Sequence, residues 1–176
     1  MGESMTPDIT GTDTGVDSEG TAFGLAQRRS WVFSAWWYPA VLSVSGAVQA
    51  GLALAVGQSA QAGIVLASLG AVSAALGWAL TAGHRFTRRP PKPGSDIPRV
   101  KQGIRTTPIM VRTILIASAL GVGALVLFTP RGGSPESLPL LGMLVIWPLG
   151  LAAGLAYTRR LMIKSPTLYA QWLDRR

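Results

Sequence analysis

The chain has 176 residues, 48% of them hydrophobic and 14% charged, with a mean hydropathy of +0.35 and a formal net charge of +8. It contains no cysteine and one histidine, His84, which excludes disulfides, thiol chemistry and a histidine-built metal cluster. Length and composition together fit one helical domain with most of its middle in lipid.

Residues 1–20 hold Glu3, Asp8, Asp13, Asp17 and Glu19, no Lys or Arg, and few apolar side chains. Such a stretch buries too little to offset its ordering entropy, so it reads as a disordered acidic tail. No basic and then apolar run opens the chain, and the first span is expected to act as an uncleaved insertion signal. Residues 21–38 read as a cytoplasmic interfacial lead-in carrying Arg28 and Arg29 and then Trp31, Phe33, Trp36, Trp37 and Tyr38. A Trp or Tyr ring is half apolar and half wet at the headgroup boundary, which makes Trp31, Trp36, Trp37 and Tyr38 interfacial anchors. Pro39 then reads as the opening of the first span.

Four stretches, 39–57, 62–83, 108–128 and 139–157, are almost free of charge. Each is close to the ~20 apolar residues that carry a helix across a bilayer, where no partner but the helix itself satisfies the backbone. The fold class is therefore an all-α integral membrane protein. Its four transmembrane helices read as two antiparallel hairpins, because the 58–61 and 129–138 connections are short. Ridges such as Gly46-x3-Ala50, Gly63-x3-Ala67, Ala119-x3-Gly123 and Gly150-x3-Gly154 allow close helix approach, within the chain or with another membrane protein. Pro148 removes a helical hydrogen bond and predicts a kink in the fourth span.

No Asp, Glu, Lys or His lies in the middle of a span, which counts against a proton-coupled pump. The intramembrane polar candidates are Gln49, Ser68 and Ser73, alongside Ser43, Ser45, Thr113 and Ser118. The Gln49 amide needs partners in lipid and is expected to bond to Ser68 or Ser73, or to line a polar path with them.

Residues 84–107 form a basic, proline-rich loop, with Pro90-Pro91-Lys92-Pro93 and Ile97-Pro98-Arg99 favouring extended backbone. Its cations Arg85, Arg88, Arg89, Lys92, Arg99, Lys101 and Arg105 are the candidate contacts for anionic lipid headgroups or for a protein partner. The sequence pI near 11.1 raises nucleic acid as a partner, but the charges flank spans, and headgroups and topology explain them more simply. In the C-terminal segment, 158–176, Ser165 reads as an N-cap with Pro166 at the first helical position. The pairs Leu168/Trp172 and Tyr169/Leu173 describe a short amphipathic helix on the cytoplasmic surface, with Trp172 as an anchor.

Charge predicts the orientation. With both termini and the central loop on one side, that side collects every basic residue except Arg131 on the other side and Arg112 just inside the third span. This bias places the basic side in the cytoplasm and the protein in the plasma membrane. Isolated His84 and the scattered carboxylates supply no catalytic, cofactor or metal constellation, so the expectation is a non-catalytic protein acting by association. Its expected partners are membrane lipids and an integral-membrane protein or further copies of itself. The alternative is a small transporter or channel subunit with a Ser/Gln-lined path formed by oligomerisation, and a lipid-directed enzyme ranks third.

Overall fold

The computed structural model describes residues 13–85, 96–128 and 134–175, and these are helical nearly throughout. Helix α1 spans Asp13–Ala55, α2 Gln61–Arg85, α3 Ile97–Phe128, α4 Leu138–Ile163 and α5 Ser165–Leu173, with a 3-10 turn at Pro135–Ser137 before α4. Helices α1 to α4 are each long and apolar enough to cross a membrane.

Local chemistry sets most of the ends. Helix α1 stops at a Schellman motif: Gly57 takes φ +72°, its N–H donates to Leu54 O, and the Gln58 N–H donates to Ala53 O at 2.8 Å. Helix α3 starts at a capping aspartate. Asp96 Oδ1 accepts from the Arg99 N–H at 3.1 Å, and Pro98 sits in the first turn, where no N–H is missed.

Three boundaries differ from the sequence reading. Helix α1 begins at Asp13, inside the stretch assigned to a disordered tail, and runs unbroken through 21–38 and past Pro39. Just beyond that stretch Ala22, Phe23, Leu25 and Ala26 are buried, and α5 packs against this part of the chain. The central loop is also shorter than 84–107, since α3 already begins at Ile97 under its aspartate cap. Finally, α5 takes Lys164 as its N-cap, so Pro166 is the second helical residue rather than the first. Between α4 and α5 only Lys164 leaves helical dihedrals, at φ −86° and ψ 9°, while its N–H still donates to Arg160 O at 3.0 Å, and a proline in the first turn fits either register.

The helices lie in the order α2, α1, α4, α3. Helix α1 carries α2 on one face and α4 on another, and α3 leans chiefly on α4. Packing between α1 and α2 is backbone to backbone. Gly63, Gly70 and Gly77 recur every seventh residue and meet Ala50, Ser43 and Ala35 in turn, so the two helices run antiparallel. A Cβ on Gly63 would stand 2.5 Å from Ala50 N, and one on Gly70 would stand 2.7 Å from Pro39 O. Between α1 and α4 the contact is side chain into glycine. Gly142 receives Leu52, Gly150 receives Val41, and Gly154 receives the Trp37 and Tyr38 rings.

The exterior of this row is apolar. Leu69, Val72 and Leu80 of α2, and Ile116, Leu120 and Leu127 of α3, are all well exposed, and α3 buries no residue. Water would penalise that surface heavily, whereas lipid does not distinguish it from a helix interior.

Candidate functional site

The polar groups between the helices follow a simple rule set by proline. A proline inside a helix has no N–H, which leaves the carbonyl four residues earlier without its donor. In hydrocarbon that carbonyl has no water to turn to. The three prolines inside α1, α3 and α4 are Pro39, Pro108 and Pro148, and the carbonyls they free are those of Ala35, Ile104 and Leu144. A neighbouring helix meets each one. The Ser118 hydroxyl of α3 donates to Leu144 O at 2.6 Å, and Arg159 Nε of α4 donates to Ile104 O at 3.0 Å. Ala35 O faces Gly77 of α2, whose Cα hydrogen points at it where a side chain would begin. The prolines thus mark joints between helices. This also ties α3 to α4 at two levels, one near each end of the contact.

The expected intramembrane constellation does not come together. Ser68 and Ser73 are exposed on α2, away from the α1 contact marked by Gly63, Gly70 and Gly77. Gln49 faces inward on α1 next to fully buried Ser45, and neither Gln49 Oε1 nor Ser45 Oγ has a hydrogen-bond partner. Ser43 is occupied by donation to Ala67 O at 2.9 Å. Gln49 therefore bonds to neither serine within the chain.

The aromatic residues split into two kinds. Trp36 and Trp37 join Phe33, Trp78 of α2 and Tyr157 of α4 in a connected cluster with ring centroids 4.3–5.9 Å apart. Trp37 Nε1 also donates to Gly150 O at 3.0 Å, so this ring is pinned within the protein. Tyr38 packs its ring on Gly154. Trp31 remains exposed, and Trp172 stacks on Tyr169 one turn earlier in α5. Trp36, Trp37 and Tyr38 accordingly hold three helices together. Trp78 and Tyr157, which join Phe33 and the tryptophans of the lead-in in this cluster, were visible in the sequence only as isolated aromatics.

Of the seven basic candidates, Arg88, Arg89, Lys92 and the Arg85 side chain lie outside the described residues. The other three fall on the first turns of α3, where Arg99 pairs loosely with its own cap Asp96 at 3.7 Å. Lys101 Nζ reaches Glu19 of α1 at 2.8 Å, with both side chains about half exposed. Arg105 is exposed, and no described acidic group pairs with it. Two grooves lie between described helices. One of about 400 Å³ separates the start of α1 from α5, between Ala22, Phe23, Pro166 and Tyr169. The other, about 340 Å³ and wholly apolar, runs between α1 and α4 along Ala40, Val44, Ile146 and Leu149. Among the described residues no group of three His, Cys, Asp or Glu side chains converges.

No protein-family model matches the chain, and no curated protein or solved structure shows significant similarity to it.

Proposed function

We propose that this is a non-catalytic, multi-pass plasma-membrane protein, built from two antiparallel hairpins with both termini in the cytoplasm. It acts by association, as an accessory, assembly, immunity or regulatory subunit of a larger membrane system. The observation that carries this reading is the open row of helices. An edge helix, α3, has no buried residue, and the outer face of α2 is uncovered. Such faces suit lateral contact in the bilayer, where close packing rather than water exclusion drives association. The cytoplasmic orientation is supported by the one-sided distribution of Lys and Arg.

Mild-detergent purification after crosslinking in intact cells tests the reading. A stoichiometric integral-membrane partner or a defined homo-oligomer is the expected result. A monodisperse monomer without crosslinks would refute it. A transporter or channel subunit is the competing reading, and the unpartnered Gln49 and Ser45 are the observation in its favour. Solute or ion flux through the purified protein in vesicles, lost in Gln49→Leu, would establish it.

A further inference from the structure

Arg112 is the one charged residue of α3 that lies within its apolar half, and it is exposed. The two bonds between α3 and α4 fix its depth. Arg159 lies against Ile104 and Ser118 against Leu144, so Tyr157 of the aromatic cluster is level with about residue 106 of α3. From there to Arg112 the helix rises roughly 9 Å toward the bilayer centre. A cation at that depth draws a counter-charge, and among the described residues none is paired with it. Every acidic residue of the sequence lies outside the four charge-poor stretches, and Glu19 and Asp96, near this end of α3, face Lys101 and Arg99. The counter-charge is sought outside the described chain.

The shape of the surrounding surface indicates its source. At helical spacing Arg105, Ile109, Arg112, Ile116 and Leu120 form one stripe, and every member is exposed. Side chains on a helix lean toward its N-terminus, so Arg112 leans back toward Arg105 and the basic end. Arg105 leans the same way, so the two guanidinium groups stay roughly 10 Å apart along the helix, a gap that one phosphate spans with an oxygen toward each. Beyond them the stripe is apolar, and Gly123 further along has open space where a side chain would be. The pattern is a doubly charged head position followed by a greasy track. Arginine is the residue best matched to phosphate oxygens, through its planar fork of donors.

We propose that α3 holds a single anionic phospholipid of the cytoplasmic leaflet, its phosphate between Arg105 and Arg112 and an acyl chain along Ile116 and Leu120. This rests on the membrane orientation proposed above and gives that surface a specific occupant. The acidic span of a partner protein is the competing source of counter-charge. It is disfavoured because Arg112 leans toward the headgroups rather than toward the bilayer centre.

The test uses the full chain in vesicles of phosphatidylcholine containing phosphatidylglycerol, followed by detergent extraction and native mass spectrometry of retained lipid. Arg105→Gln and Arg112→Gln should each lower phosphatidylglycerol retention roughly fivefold. Arg99→Gln, paired with its cap and further out, should leave it unchanged, and phosphatidylcholine should be retained equally by all. Equal retention by native protein and both variants overturns the proposal. So does an equal loss in Arg99→Gln, which would mean diffuse attraction. Displacement of the lipid by inorganic phosphate, or loss of a co-purifying membrane protein in Arg112→Gln with lipid retention intact, assigns the site elsewhere and also overturns it. Alkaline extraction of the same vesicles separates the two levels. A chain released by it refutes the membrane reading itself, whereas an inserted chain indifferent to both substitutions refutes only the lipid site.

Discussion

Ser118→Ala removes the donor that satisfies Leu144 O and leaves the polypeptide otherwise intact. The bond is short, at 2.6 Å, and the carbonyl it serves has lost its helical donor to Pro148. Hydrogen bonds between membrane helices average about 0.6 kcal/mol, with a maximum near 1.7, because the unfolded reference also finds partners. An orphaned carbonyl raises the cost toward 1–3 kcal/mol. Destabilisation of about 1.5 kcal/mol is therefore expected. The decisive comparison is made with and without Pro148. In Pro148→Ala the helix supplies its own N–H to Leu144, and the serine becomes a second, dispensable donor. Ser118→Ala should then cost about 0.5 kcal/mol, a coupling of about 1 kcal/mol in the double-mutant cycle. Reversible unfolding in mixed micelles titrated with denaturing detergent measures all four proteins. If Ser118→Ala costs the same on both backgrounds, the hydroxyl does not compensate the proline, and the reasoning from freed carbonyls fails.

Three further outcomes follow from the packing. Gly77→Ala and Gly70→Ala place a Cβ against the backbone of α1 and should destabilise by about 1–3 kcal/mol, whereas Gly51→Ala and Gly121→Ala, which face open space, should not. The same detergent titration checks this, and equal effects at all four sites would contradict the α1–α2 contact. Gln49→Leu replaces an amide oxygen that has no partner and should leave stability unchanged or raise it by about 1 kcal/mol. A loss of stability in that titration would reveal a partner for the amide. Trp37→Phe keeps a ring in the cluster and loses the donation to Gly150 O, so it should cost about 1 kcal/mol, less than Trp37→Ala at about 3 or more. Equal losses in thermal melts would make the hydrogen bond the whole contribution.

The four spans were legible because hydropathy over twenty residues is a property of the chain alone, and the helices contain all four except two residues past the end of α1. Ends were harder. At Ser165-Pro166 the cap signal was read, while Asp96-Ile97-Pro98 carries a better one that proline content in the loop obscured. The start of α1 was missed for a different reason. Residues 13–20 are acidic and polar by composition, and α5, which packs beside Ser18, Glu19, Ala22 and Phe23, lies some 140 residues away in the chain. Proline carbonyls are readable at four residues before each proline, but their donors are not, since Ser118 and Arg159 find them only through the register of α3 against α4. For Gln49 the same gap worked the other way. Sequence supplied two serines at suitable depth, and the rotation of α2 turned both outward. The glycines at 63, 70 and 77 show a repeat of seven that a search for four-residue spacing passes over.

The central claim is that four helices cross a bilayer with the basic ends inside the cell. The absence of cysteine makes single-cysteine labelling with a membrane-impermeant maleimide the most direct measurement. Ser59→Cys and Glu136→Cys should label on intact cells, and Arg99→Cys and Arg175→Cys only after permeabilisation. Labelling of Arg99→Cys from outside, or protection of Ser59→Cys until the cells are opened, would contradict the account.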